Sequence, residues 1–227
     1  MTPDCPNKKL LQQAVNGGLA SGLSDSSLDE LIADAERDAA AMGRQPQETM
    51  QDLVPAQVLC ASKQLVHNDG ALFDCPIEEH ASYDARKLHE VCVNHRLANH
   101  LEAALLPPLR IDEPLFVDLE FNREGVDFKQ IKINGEDHTV RPDIIIHNRK
   151  TGSQKRNVLV VECTKQGTPP RDIEGDQQKL RAFMEDTRYE YWFGLQVIYG
   201  RDGVCGELFF KSDNRIQSIE LSVSPHQ

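Results

Sequence analysis

No run of apolar residues in this 227-residue chain approaches the roughly 20 needed to cross a bilayer. Met1 to Leu11 also lack the apolar region of a secretory signal. Closely spaced cysteines are missing too: Cys5, Cys60, Cys75, Cys92, Cys163 and Cys205 are scattered, which in a reducing compartment suggests free thiols, not a disulfide framework. A cytoplasmic protein with no membrane contact is expected. There is no Gly-rich phosphate loop, and Ser/His/Asp chemistry finds no nucleophile elbow. Cys60, His67, Cys75 and His80, at spacings of seven, eight and five, match no common zinc finger. Basic charge is in deficit: 25 Lys and Arg stand against 36 Asp and Glu, a net charge of -11. That sign argues against a uniformly basic nucleic-acid-binding face.

What is present describes a globular domain with an appendage, at 39% hydrophobic and 27% charged residues. The organisation changes near residue 80, giving a mostly helical N-terminal extension and linker over 1–80 and an α/β domain over 81–227. In the extension Ser27-Leu28-Asp29-Glu30 fits a capping box, the run continues to Met42, and Gly43 is placed to end it. Leu28, Leu31, Ile32, Ala35 and Ala39 make only a narrow stripe, so this acidic helix is expected to dock on the core or on a second chain, as a contact for a protein partner or a homodimer. Residues 43–56, with two prolines, read as a linker, and Gln57 to Leu65 as a short helix.

Two short apolar runs carry acids that an ordinary core strand excludes. The first is Arg141-Pro142-Asp143-Ile144-Ile145-Ile146-His147, and the second runs from Asn157 through Val158, Leu159, Val160 and Val161 to Glu162, Cys163, Thr164 and Lys165. Residues 148–156 between them are polar and contain Gly152, the mark of a hairpin loop. An antiparallel partner reverses direction, so Asp143 and Glu162 meet at one edge of the sheet. Converging carboxylates repel unless a cation or a proton lies between them. Hard oxygen ligands of this kind suit magnesium or manganese.

Pro142-Asp143, then a hairpin, then an apolar strand ending in Glu162 with a lysine nearby, resembles the PD-(D/E)xK nuclease superfamily over roughly residues 84–212. The resemblance implies a restriction-endonuclease-like fold, α/β with a mixed central sheet flanked by helices, and metal-dependent hydrolysis of phosphodiester bonds in DNA or RNA. It also implies one Mg2+ or Mn2+ held by Asp143, Glu162 and the main-chain carbonyl of Cys163. A helix before the sheet often offers a glutamate to such a centre, and Glu90 matches that place. The ending departs from the family's acid, one residue, lysine, because Glu162 is followed by Cys163, Thr164 and only then Lys165. On a regular strand Thr164 shares the face of Glu162 and Lys165 turns away. A bulge would turn Lys165 back inward; otherwise Lys179 of the next helix supplies the ammonium, or no lysine does. In that last case a nuclease-like fold with impaired catalysis serves as a protein-binding or regulatory module.

The helix over Asp84 to Leu106 places Arg86, Glu90, Val93, Leu97, Leu101 and Ala104 in one stripe. A glutamate there needs a partner, either the metal centre or an ion pair with Arg86 or Arg96. Phe116 to Arg123 and Lys129 to Ile133 are strand-like, Asp172 to Asp186 helical, and Tyr189 to Tyr199 and Gly206 to Lys211 strand-like again. Glu120 and Arg123 approach the site or are rim charges. Asp176 and Gln177 contact the scissile phosphate or nothing. Arg149, Lys150, Lys155 and Arg156 form a loop without an acid, which touches phosphates or is merely solvated.

Overall fold

A computed structural model of the chain describes residues 46–73, 83–106, 114–124, 127–213 and 215–225. Two compact units are present, Met1–Ala56 and Gln57–Gln227. The helix expected over Ser27 to Met42 lies outside the described residues. The stretch expected as a linker is instead helical from Pro46, as the start of α1, Pro46–Asp69. Met50, Val54, Val58, Ala61 and Leu65 explain the difference, since they recur every three or four residues and all are buried. Pro55 inside the helix lacks an N–H for the ladder, yet the buried stripe continues on both sides of it.

Asp69, the last residue of α1, accepts from Arg96 Nε at 2.6 Å and meets His100 Nε2 at 2.6 Å, both on α2, Tyr83–Leu105. Along α2 the buried residues Val93, Leu97, Leu101 and Leu105 keep helical spacing, and this helix packs on the sheet. No helix among the described residues is long and apolar enough to cross a membrane.

The strands follow in chain order as β1 (Phe116–Leu119), two small hairpins, β6 (Ile144–His147), β7 (Asn157–Lys165), helix α3 (Pro170–Glu185), β8 (Phe193–Gly200), β9 (Gly203–Ser212) and β10 (Arg215–Val223). The hairpins pair β2 (Arg123–Glu124) with β3 (Asp127–Phe128), and β4 (Gln130–Ile133) with β5 (Glu136–Thr139), apart from the main sheet. That main sheet has six strands in the order β1-β6-β7-β8-β9-β10. Only β7 and β8 run parallel, joined by α3 as the crossover; every other pair is antiparallel. The architecture is therefore α/β, a mixed central sheet flanked by helices.

Burial on both faces explains why β6, β7 and β8 read as near-continuous apolar runs. One face packs Ile145, Val160 and Phe209 beneath Leu180, Phe183 and Met184 of α3, with Tyr189 and Tyr191 closing the end. Pro170 at the first turn of α3 suits a position whose N–H has no partner in the helix. Two glycines set how closely neighbouring elements approach. A Cβ at Gly194 would stand 3.2 Å from Leu180 Cβ and from Met184 Sδ. Gly206 has a φ of +155°, and a Cβ there would stand 2.0 Å from the main-chain oxygen of Gln196. Gly206→Ala is therefore expected to cost at least about 2 kcal/mol, read as a lower urea midpoint at unchanged slope. An unchanged midpoint would mean that β8 and β9 do not approach this closely.

Candidate active site at the end of the sheet

Residues on β6 and β7 pair as Ile144 opposite Val161 and Ile145 opposite Val160. Asp143, one residue before β6, thus comes level with Glu162. Its Oδ2 accepts the main-chain N–H of Cys163 at 2.7 Å, standing in for the carbonyl that the shorter strand no longer offers. The carboxyl is pinned beside β7 by that bond. Glu162 is 5% exposed, and its Oε1 has no hydrogen-bond partner among the described residues while Oε2 lies 3.6 Å from Lys179 Nζ.

Helix α3 supplies the rest of the cluster. Asp176 and Lys179, one turn apart, share the sheet-facing side of α3 with Leu180 and Phe183. Lys179 Nζ donates to Asp176 Oδ1 at 2.8 Å, and Asp176 Oδ2 accepts from Thr164 Oγ1 at 2.7 Å. Glu162 and Thr164 thus face α3 together, as alternation along a regular strand requires. The pairing of β7 with β8 runs without a shift from Leu159 opposite Phe193 to Lys165 opposite Tyr199. There is consequently no bulge to turn Lys165 inward, and it points to the other face. Lys179 is the ammonium that the fold brings to the carboxylates.

The electrostatics follow from this crowding. Burial is the main cause that raises the Asp143 carboxyl to about 6; the charges of Asp176 and Glu90 reinforce it, while the Cys163 N–H and Lys179 pull the other way. Burial likewise pushes Glu162 up to about 8, with Asp143 and Asp176 adding to the rise and Lys179 opposing it. At neutral pH Glu162 holds a proton where the converging acids would otherwise repel. Burial disfavours the charge on Lys179, but Glu162, Asp176 and Asp143 outweigh it and hold the ammonium above its ordinary range. The Cys163 thiol is pushed up by burial and by the same acids.

Other expected residues take different places. Glu90 is exposed on α2, near enough for its charge to act on Asp143. Arg96, one of its expected partners, is bound to Asp69 instead. Glu120 pairs with Arg141 at 3.3 Å on the surface, a rim charge. Cys60 and Cys92 are exposed free thiols, Cys163 is half-buried, and Cys75 and His80 lie outside the described residues.

Gln196 and Glu207, which no motif singles out, extend the polar row across the sheet. Glu162 is opposite Gln196 on β8, and Gln196 is opposite Glu207 on β9. Gln177 of α3 bridges them, its Nε2 donating to Gln196 Oε1 at 2.9 Å and to Glu207 Oε2 at 3.0 Å. Gln196 Nε2 in turn donates to the carbonyl of Ile173 at 2.9 Å. An amide within the apolar run Phe193-Gly194-Leu195-Gln196-Val197-Ile198-Tyr199 was the available signal, because a core strand carries a polar side chain only when a partner waits for it.

Among the described residues, no group of three or more His, Cys, Asp or Glu side chains is spaced as a ready metal cage. The cluster offers two carboxyls, with Glu162 Oε1 lacking a partner among the described residues. Magnesium suits so sparse a set, because it keeps several of its waters and takes one or two carboxylates. Comparison with protein-family models, with curated proteins and with solved structures finds no match for the chain.

Proposed function

We propose that this chain is a divalent-metal-dependent nuclease of restriction-endonuclease-like fold, hydrolysing phosphodiester bonds in DNA or RNA. The observation that carries this reading is the meeting of Asp143 and Glu162 at one sheet edge with Lys179 3.6 Å from Glu162. The element order supports it: a helix, three antiparallel strands, a crossover helix and a parallel strand. Magnesium or manganese, held by Asp143, Glu162 and the Cys163 carbonyl, would supply an activated water and offset charge on the phosphate.

The chain's own groups then have separable roles. Lys179 places a fixed positive charge beside the reacting phosphate, and Asp176 with Thr164 holds it there. Glu162, poised near neutral pH, gives up its proton as the site fills. Gln177 is occupied by Gln196 and Glu207, so it shapes the floor and leaves phosphate contact to the lysine. Thr164, standing where a strand lysine is expected, is the observation that favours the alternative of a nuclease-like binding module.

One assay separates the two. Cleavage of single- and double-stranded DNA and RNA, with magnesium or manganese, is expected for the wild type and at least 100-fold weaker for Asp143→Asn. Asparagine keeps an oxygen for the Cys163 N–H, so the fold should persist. Manganese should raise the melting temperature of the wild type and not of the variant. Equal cleavage or equal melting shifts would remove the site; a folded, metal-binding protein that cuts none of these substrates would favour the module.

A further inference from the structure

The turn between β6 and β7 borders a cleft at the opposite end of the sheet from Glu162. Its volume is about 250 Å3, several times the roughly 30 Å3 of one water. Six of the described residues that line it are cationic, Arg123, Lys129, Arg149, Lys150, Lys155 and Arg188, and none of the described lining residues is acidic. In a chain of net charge -11 this concentration runs against the overall field.

Its deepest member is Lys129, 4% exposed, whose Nζ donates to Tyr191 Oη at 3.2 Å. The rings of Phe121, Tyr189 and Tyr191 lie 5.4, 5.3 and 5.6 Å from that ammonium. Aromatic faces attract a cation, so these rings help to keep the ammonium in the wall of the cleft.

The rest of the lining is held in position before any ligand arrives. Asn148 Oδ1 accepts the main-chain N–H groups of Lys150 at 3.2 Å and Arg156 at 2.9 Å, and its Nδ2 donates to the Gln154 carbonyl at 2.7 Å. Arg149 is clamped by Asp118, which also meets His147 Nε2 at 2.8 Å. Lys155 donates to the carbonyls of Thr187 and Arg188, and Arg188 pairs with Asp186. These pairs temper the charge and fix the geometry. Burial, then the positive charges of Lys129 and Arg149, keep His147 below its ordinary pKa despite Asp118, as expected inside a positive field.

We propose that this cleft binds a phosphate group, and that the nucleic-acid backbone supplies it as an anchor away from the cutting site. The phosphate chemistry stands on the cleft alone; only the source of the phosphate rests on the nuclease reading. Asn157 at the cleft and Glu162 are five residues apart on β7, about 17 Å at roughly 3.3 Å per residue. At about 3.4 Å per nucleotide along a helical strand, the anchor falls about five nucleotides from the scissile bond.

The test uses the full chain in EDTA, so that metal and cleavage play no part. Binding of a fluorescein-labelled 12-nucleotide single strand is followed by anisotropy across a salt series, and inorganic phosphate is titrated by calorimetry. Charge reversal at the exposed positions, Arg123→Glu and Lys150→Glu, should weaken the oligonucleotide at least tenfold and flatten the salt slope by about one per lost contact. Lys129→Met should weaken inorganic phosphate, with circular dichroism confirming its fold. Phosphate binding that is lost in the variants, without oligonucleotide binding in any protein, would keep the cleft and overturn the nucleic-acid source. Affinities for both ligands unchanged by Arg123→Glu and Lys150→Glu, or no binding of either by the wild type, would overturn the proposal. Absence of cleavage in the separate assay with magnesium or manganese, with binding in EDTA intact, would count against the nuclease reading alone.

Discussion

Lys179→Ala is expected to reduce metal-dependent cleavage by a factor on the order of 100 to 1000, whereas Lys165→Ala should leave it within about twofold. Both lysines lie near Glu162 in the chain or in space, so only the register of β7 tells them apart. Its unbroken pairing with β8 sends Lys165 to the face away from Glu162. Lys179 meets Glu162 from the helix side at 3.6 Å and is anchored on Asp176. Lys179→Arg keeps the charge but not the compact shape, and partial activity in it would show that charge is the contribution. If Lys165→Ala is inactive while Lys179→Ala cuts normally, the strand is not regular under working conditions and the helix does not provide the cation.

The second large effect is on stability and needs no substrate. An acid whose folded pKa is raised binds its proton more tightly in the folded chain than in the unfolded one. Its contribution is therefore fully present below the unfolded value and is lost as pH rises through the folded value. For Glu162 the window runs from 4.5 to about 8, and Asp143 acts over a lower window, from 3.8 to about 6. Each pH unit across the Glu162 window is worth about 1.4 kcal/mol, so the metal-free protein should lose roughly 5 kcal/mol between pH 4.5 and 8 through this group. Urea unfolding in EDTA at several pH values measures it. Glu162→Gln should flatten the slope above pH 6, and manganese should restore stability most at the alkaline end, where no proton need be displaced. A slope identical in wild type and Glu162→Gln would mean that Glu162 is not the buried acid responsible.

Much of this arrangement was legible in the residues because a few strong patterns carried it. Apolar runs ending in acids announced the β6–β7 hairpin, and Asp143 and Glu162 followed from simple antiparallel geometry. The helical periods of α2 and α3 were equally plain. What escaped had weak or misleading patterns. β10 is mostly exposed, so Arg215 to Glu220 shows no apolar alternation, and β5 is exposed along its whole length. α1 was hidden by prolines, although Met50, Val54 and Val58 carry its stripe. The choice between Lys165 and Lys179 turned on a register that no spacing reveals. The basic cleft draws residues from Phe121 to Tyr189, and only folding brings them together.

The strand order of the main sheet has a consequence for how the molecule comes together. Each strand lies beside its successor along the chain, with only the two small hairpins intervening between β1 and β6. Asp143, Glu162, Thr164, Asp176, Gln177, Lys179, Gln196 and Glu207 come from one contiguous stretch of the chain. Short loop closures make such a stretch a natural cooperative unit, with little chain entropy lost before its contacts form. Its opening would scatter both carboxyls, the lysine and the amide row at once, so this cluster is present in full or not at all.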